Sequence, residues 1–391
     1  MGKAVSPDLK TTNDSSVLSF GKFPFWQGLF DKPGIGKTLP FKLFCKQGEH
    51  IKLDSSALDI NDVTHVYQES DYNFITKPPG SSYWSNLLGD ISISWVKKLI
   101  PPDFTVNNVL EIGAGSLYVA QGIKRLMNLD NYVIVDPSIR ESSDDFNIIR
   151  EYFPSEKTGS LKFDLILAFN TLEHLPEPES FLNSIKDHLT EKGMVVLTFP
   201  DCERQLRLGD LNVLLHEHIN YFTESSLVRY IKKAGFKLVE HHTFDDTFVV
   251  LIKVSENAKE IEAGLSTENE FDLLKAAHKA FGESIENVKI LIDKQISLGN
   301  TIGFHGATNG LNTLLFLLGL ENETRIRIYD GDQNKAGKYL PSFHSKILSS
   351  LDASYASNSI MIVSAITYFD SISKFAKQQH GLTDNQIYKI A

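Results

Sequence analysis

The sequence predicts an α/β protein: a Rossmann-like parallel sheet in the middle of the chain, flanked by a small irregular N-terminal domain and a second, smaller C-terminal α/β domain. Three observations predict it. Four short apolar runs, VNNVLEIGAG, NYVIVDP, FDLILAFN and GMVVLTFP, are separated by stretches of helical periodicity, the pattern of βαβ units. The same alternation resumes beyond Asn300 in TIGFHGATNGLNTLLFLLGL, RIRIYDGD and SIMIVSAITYF. At 391 residues the chain exceeds what one hydrophobic core usually organises, so two or three domains are expected.

Taken in order, residues 1–17 are rich in Ser, Thr, Asn and Asp and read as a disordered lead-in. Across residues 18–85 short apolar runs alternate with Gly and Pro, and LPFKLFCKQGEHIKL reads as a β-hairpin turning at Lys46-Gln47-Gly48. Residues 86–255 hold the Rossmann-like unit. A charged stretch with apolar residues at helical spacing, 256–298, reads as a helical connection, and 299–391 as the C-terminal domain. No solenoid period is visible, although two Gly-rich strand-to-helix turns suggest two Rossmann-like halves.

Composition narrows the function. With 42% hydrophobic and 23% charged residues the chain is ordinary for a folded globular protein, and no apolar run approaches the roughly 20 residues of a membrane helix. A net charge of −10 argues against a phosphate backbone as partner, since such binding rests on clustered Lys and Arg. A small-molecule substrate is therefore expected, with neither nucleic acid nor membrane. Two cysteines form no disulfide framework and the N-terminus has no apolar core, so the expected location is cytoplasmic. Gly2 and Ser6 fit the loose myristoylation pattern, but no polybasic stretch follows.

Val109-Leu110-Glu111-Ile112-Gly113-Ala114-Gly115 puts an acidic residue and two glycines where a strand gives way to a helix. Glycines there let the backbone approach a ligand closely. The third glycine of a dinucleotide fingerprint is replaced by Tyr118, which disfavours NAD. About 20 residues on, YVIVDP ends in Asp136, whose carboxylate suits ribose hydroxyls. This ExGxG turn resembles the first motif of class I S-adenosylmethionine-dependent methyltransferases, with FDLILAFNTLEHLPEPESFL resembling the family's fourth strand and following loop. The rival reading is an unrelated Rossmann-like domain in which Asp136 only caps a helix.

Beyond the fifth expected strand lies Leu214-Leu215-His216-Glu217-His218-Ile219-Asn220-Tyr221-Phe222. In an extended segment His216 and His218 point to one side and Glu217 to the other. As a metal site this HxH lacks further ligands unless His174 supplies one, and the helical HExxH of zinc proteases is absent, so no metal is assigned. Methyl transfer needs instead a nucleophile freed of its proton and aligned with the methyl carbon. An imidazole of ordinary pKa about 6.5 suits that deprotonation, and His218 with Glu217 is the expected pair. For His216 the expected role is to satisfy backbone groups beneath a loop.

Together these residues resemble the sugar C-methyltransferases that act on nucleotide-linked keto-deoxysugars. HEHINYF resembles that family's HEH-x-x-YF segment, which implies His218 as base with Glu217 beside it. Asn170-Thr171-Leu172-Glu173-His174 resembles its Asn-x-x-x-His, implying that Asn170 belongs to the cofactor site with Glu111, Gly113, Gly115 and Asp136, and that His174 is a second active-site histidine. GFHGATNGLNTLL and YDGDQNKAGKYLPSFH resemble its C-terminal domain, including Asp330, Lys335, Gly337 and His344. The family's N-terminal domain holds zinc with two CxxC pairs, whereas here Cys45 matches one position and Gly48 replaces its partner, so no zinc is expected. Leu215 and Asn309 also depart from the family's usual Tyr and Lys.

The resemblance implies that a base removes a proton beside a sugar ketone and that the carbon is then methylated. Three rivals stand beside it: O-methylation of a sugar hydroxyl or related small molecule, a non-catalytic nucleotide-sugar binding protein, and an NAD site at Gly303, Gly306, Gly310 and Asp330.

Overall fold

The computed structural model describes residues 6–59, 61–63, 66, 83–244, 247–255 and 270–390. They gather into two compact units, one of residues 61–201 and 218–268, the other discontinuous, of residues 1–60, 202–217 and 269–391.

The discontinuous unit begins with an antiparallel sheet in which β1 (Asp8–Thr11) pairs with β2 (Ser15–Pro24), β2 with β3 (Thr38–Lys46) and β3 with β4 (Ile51–Leu53). The β3–β4 hairpin turns where the sequence predicts, with Gly48 at φ 77°. Of the disordered lead-in expected over 1–17, residues 1–5 lie outside the described ones and the rest is corrected: Asp8–Thr11 and the start of β2 are strand. The polar run there is turn chemistry, with Thr12 N–H and Thr12 Oγ1 both bonding Ser15 O and the Thr11 hydroxyl pairing with Ser16.

The Rossmann-like unit runs α1 (Tyr83–Leu99), β5 (Asn108–Ile112), α2 (Tyr118–Leu126), β6 (Asn131–Val135), β7 (Asn147–Ile149), β8 (Phe163–Phe169), α3 (Pro178–His188) and β9 (Leu189–Pro200). The chain then leaves it through α4 (Cys202–Leu208) and returns for α5 (Glu224–Lys233), β10 (Phe236–Phe244) and β11 (Thr247–Val254). The sheet order is β10-β11-β9-β8-β5-β6-β7, with β5 to β9 parallel and β11 antiparallel to both β9 and β10. Because both faces are covered, the central strands are mostly apolar on both sides rather than alternating, with Glu111 the buried exception in β5. Leu110, Val133, Ile166 and Val195 pack with α3 and α5 on one face, while Val109, Ile134, Leu165 and Val196 pack with α1 and α2 on the other. Each such buried side chain contributes roughly 1.5–3 kcal/mol. Strand order reverses between β5 and β8, and the crevice beyond their carboxyl ends is where an open α/β sheet takes its ligand.

The rest of the discontinuous unit is α6 (Glu270–Ser297), β12 (Ile302–His305), α7 (Asn309–Leu317), β13 (Ile326–Asp330), β14 (Ile347–Ser349), β15 (Ile360–Val363), α8 (Phe369–His380) and β16 (Ile387–Lys389). Its sheet is wholly parallel in the order β14-β13-β12-β15-β16. The three-residue edge strands β14 and β16 are too short to leave a periodic signal in sequence. The helix expected within 256–298 is α6, and residues 256–269 lie outside the described ones.

The segment 202–217 departs from the expected boundaries. Sequence order puts it inside the methyltransferase-like unit, but it packs in the discontinuous one. Gly209 (φ 64°) lies so close to α6 that a Cβ there would meet the Ala280 backbone at 2.6 Å. Among the described residues no helix is long and apolar enough to cross a membrane.

Candidate active site

The end of β5 forms a cradle. Gly113 (φ 72°) and Gly115 (φ 65°) hold left-handed backbone that costs other residues about 1–2 kcal/mol. A Cβ on Gly113 would also meet Thr171 Oγ1 at 2.6 Å. Across the crevice, Asp136 at the end of β6 is buried, and its carboxylate accepts Gly115 N–H at 2.6 Å, Ser138 N–H at 2.6 Å, the Ser138 hydroxyl at 2.7 Å and Ile139 N–H at 3.1 Å. Those donors fix the carboxylate beside the glycine turn.

Asn170, just past β8, has φ 46°, a conformation non-glycine residues rarely adopt and Asn tolerates best. Its N–H bonds Thr198 O at 2.8 Å, and the Thr198 hydroxyl donates to its Oδ1 at 3.3 Å, so β9 holds the strained residue in place. Gly113, Gly115, Asp136 and Asn170 thus lie at the carboxyl ends of β5, β6 and β8 within one unit. Their Cβ-free approach and fixed carboxylate suit the methionine and ribose parts of S-adenosylmethionine.

Glu111 differs. It is buried within β5, its Oε2 accepts the Tyr132 hydroxyl at 2.6 Å, and its Oε1 has no hydrogen-bond partner among the described residues. Burial pushes its carboxyl up to about 7, against the Tyr132 hydrogen bond and helped by the charge of Asp136.

The extended geometry expected for His216 and His218 is corrected. His216 and Glu217 form a turn, and the two imidazoles have unlike surroundings. His216 is caged by Phe23, Phe25 and Phe41, with ring centroids at 4.6, 5.8 and 5.1 Å, and its Nε2 lies 3.3 Å from Leu39 O. Burial pushes it down to about 4, so it is a neutral donor to that carbonyl. It serves the N-terminal sheet, in the structural role the sequence reading gave it.

His218 lies in the Rossmann-like unit, edge-to-face with His174 at a centroid distance of 4.8 Å and an interplanar angle of 78°. Burial, and after it the charge of His174, holds its imidazole well below the ordinary range, so it is neutral near pH 7. Its Nδ1 has no hydrogen-bond partner among the described residues. The pairing is built by one backbone bond and one side chain: Ile219 N–H donates to Glu173 O at 2.7 Å, and the Asn220 side-chain Nδ2 donates to Leu172 O at 3.1 Å and Leu175 O at 2.7 Å. The segment after His218 is thereby laced to the short 3₁₀ turn Leu172–His174 that follows β8.

Glu217 is buried at the last position of segment 202–217. The carboxylate gathered with the two histidines is Glu173, which the sequence reading did not single out. Its Oε1 is 3.7 Å from His174 Nε2, and ligating atoms of Glu173, His174 and His218 lie within 4.8 Å of one another. That set is looser than the ~3.4 Å between donors of a tetrahedral zinc shell with bonds of about 2.0–2.1 Å. The signal that marks Glu173 is its place between Asn170 and His174 at a sheet edge.

Elsewhere, the Cys45 thiol is buried and donates to the Lys46 and Glu49 carbonyls, both at 3.2 Å. Asp330 and Lys335 form an ion pair at 2.9 Å, Gly337 has φ 83°, and His344 bonds Glu321 O at 3.2 Å. The glycines of the NAD reading are used internally: a Cβ on Gly303 would meet Met361 at 2.5 Å, and one on Gly310 would meet Asn212 at 2.6 Å.

Comparison with known proteins gives two family matches in chain order, a methyltransferase domain over residues 83–241 and a C-methyltransferase C-terminal domain over residues 248–387. The curated protein C-methyltransferase NovU of Streptomyces niveus is 23% identical over 189 residues, 45% of this chain and 45% of that protein, so the match spans under half the relative's length. Similar solved structures include the CcbJ methyltransferase from Streptomyces caelestis, with 15% identity, 47% of this chain and 94% of that one covered, and a TM-score of 0.35. Another is ribosomal protein L11 methylase from Lactobacillus delbrueckii subsp. bulgaricus, with 16% identity, coverage of 46% and 83%, and a TM-score of 0.29. Likenesses that loose carry no weight for chemistry.

Proposed function

We propose that this chain, which joins a methyltransferase domain to a C-methyltransferase C-terminal domain, methylates a carbon of a nucleotide-linked keto-deoxysugar with His218 as the base. The observation that carries the reading is His218 itself: a buried, neutral imidazole packed on His174, in the same unit as the cradle of Gly113, Gly115 and Asp136. The description of the matched C-terminal domain and the name of the relative NovU favour carbon over oxygen as acceptor. Deoxysugar biosynthesis in the cytoplasm is the setting this implies.

S-adenosylmethionine supplies an electrophilic methyl group when bound. Gly113 and Gly115 would leave room for it, Asp136 would be the acceptor for its ribose hydroxyls, and Asn170 would border it at the end of β8. Neutral His218 takes the proton from the carbon beside the ketone, a step worth on the order of 10² to 10⁴ in rate. His174 packs against the ring and limits its rotation. Glu173, beside both rings, is the carboxylate that offsets the positive charge His218 acquires, the part the sequence reading gave to Glu217, the residue before His218.

The test is turnover of a panel of nucleotide-linked keto sugars by the wild type and His218→Ala, with S-adenosylmethionine affinity measured by calorimetry. The variant is expected to lose about 10²-fold or more in turnover while keeping cofactor affinity within about twofold. Unchanged turnover would remove His218 from the mechanism.

A further inference from the structure

The C-terminal sheet repeats the plan of the cofactor cradle. β12 is followed directly by Gly306 (φ 110°), and Asp330 at the end of β13 accepts Ala307 N–H at 2.8 Å, as Asp136 accepts Gly115 N–H. Its strand order reverses between β12 and β15, so the crevice at their carboxyl ends, beside the N-terminus of α7, is where such a sheet takes a ligand.

That crevice holds a residue of the chain's own. Asn212 Oδ1 accepts Gly310 N–H at 3.1 Å, in the first turn of α7. Asn212 Nδ2 donates to Ser364 O at 3.0 Å, just beyond β15, and the Asn212 carbonyl accepts Asn309 Nδ2 at 2.9 Å. Asp210 Oδ1 accepts the N–H of Asn212 at 2.9 Å and its Nδ2 at 2.7 Å, shaping the 3₁₀ turn Leu211–Val213 that presents the side chain. Gly310 is required by this fit, because a Cβ there would lie 2.6–2.8 Å from Asn212 atoms. Lys335 takes up Asp330 Oδ2 at 2.9 Å, so the carboxylate that would face a ribose is also satisfied internally.

We propose that Asn212 is a positioning residue: seated as an internal ligand at the switch point of the C-terminal sheet, it anchors the stretch of chain that leads to His218. The C-terminal domain then serves the reaction by holding this segment instead of binding a nucleotide in that crevice. Asn212 is the first anchor and caged His216 the second, and only Glu217 separates His216 from His218. The proposal rests on His218 as the base.

The test uses the full-length chain and the variants Asn212→Ala, Gly310→Ala, their double, and Asn212→Asp. Three quantities are measured: amide hydrogen exchange over residues 209–222, S-adenosylmethionine affinity by calorimetry, and kcat and KM on the nucleotide-linked keto sugar panel. Asn212→Ala and Gly310→Ala are each expected to speed exchange in residues 211–218 by about tenfold or more. Each should lower kcat on the order of ten- to a hundredfold with S-adenosylmethionine affinity within about twofold. The double variant should be no worse than either single, since both break one contact. Asn212→Asp keeps an acceptor for Gly310 N–H and should recover part of the loss. Unchanged exchange in 211–218, additive losses in the double variant, or an aspartate variant no better than alanine would overturn the proposal. If the wild type bound S-adenosylmethionine but turned over no probe, the methyl-transfer reading would fail, while the exchange data would still decide the anchoring.

Discussion

A single residue separates His216 from His218, and burial acts on both, yet their surroundings assign them different work. The folded His216 imidazole sits at about 4 while the unfolded one is near 6.5, so between those values the unfolded chain binds more protons. Its contribution to stability is therefore present above pH 6.5 and lost as the pH falls toward 4. His216→Phe should flatten the rise of Tm with pH in that window, and His216→Ala should also lower Tm at pH 7.5, by emptying the phenylalanine cage. Glu111 has the opposite sign. Its folded value near 7 lies above the ordinary 4.5, so the folded state holds the extra proton and stability is lost as the pH rises through 7. Glu111→Gln should remove that loss and raise Tm at pH 8, read by calorimetric scans from pH 4.5 to 8.5; an unchanged pH profile would refute the buried-acid assignment. The histidines themselves were visible in sequence, but their separation was not, because a turn at His216-Glu217 leaves no periodic trace in so short a segment.

At the scale of the element, the strand-to-helix turn after β5 was the most legible part of the chain. Glycines at 113 and 115 followed by an acid at the end of the next strand are dictated by sterics, and the structure places them together as the spacing predicts. Asp136→Ala should weaken S-adenosylmethionine binding about tenfold or more, since several fixed donors lose their acceptor and the cofactor its carboxylate. Gly113→Ala should weaken it at least as much, because positive φ and the Thr171 hydroxyl at 2.6 Å both oppose a Cβ. Calorimetric titration reads both, with Lys237→Ala, on β10, as an unaffected control. The N-terminal hairpin of β1 and β2 was illegible for a physical reason: its Ser and Thr side chains form turn and cross-strand hydroxyl contacts, and such residues carry no hydropathy signal.

For the whole molecule, the α/β class and the second, smaller α/β domain followed from alternating apolar runs, whereas the division of the chain did not. Residues 202–217 fold with the N- and C-terminal parts because Gly209, Asn212 and His216 each fit a partner distant in sequence: Ala280, Gly310 and the Phe cage. No local pattern announces such pairings. The measurement that tests the central claim most directly is the site of methylation. Incubating the full-length protein with S-adenosylmethionine carrying a ¹³C methyl and the panel of nucleotide-linked keto sugars, and reading the product by NMR, should show the label bonded to a sugar carbon. It should be absent with His218→Ala. A label bonded to oxygen, or a product formed equally by the His218 variant, would contradict the account.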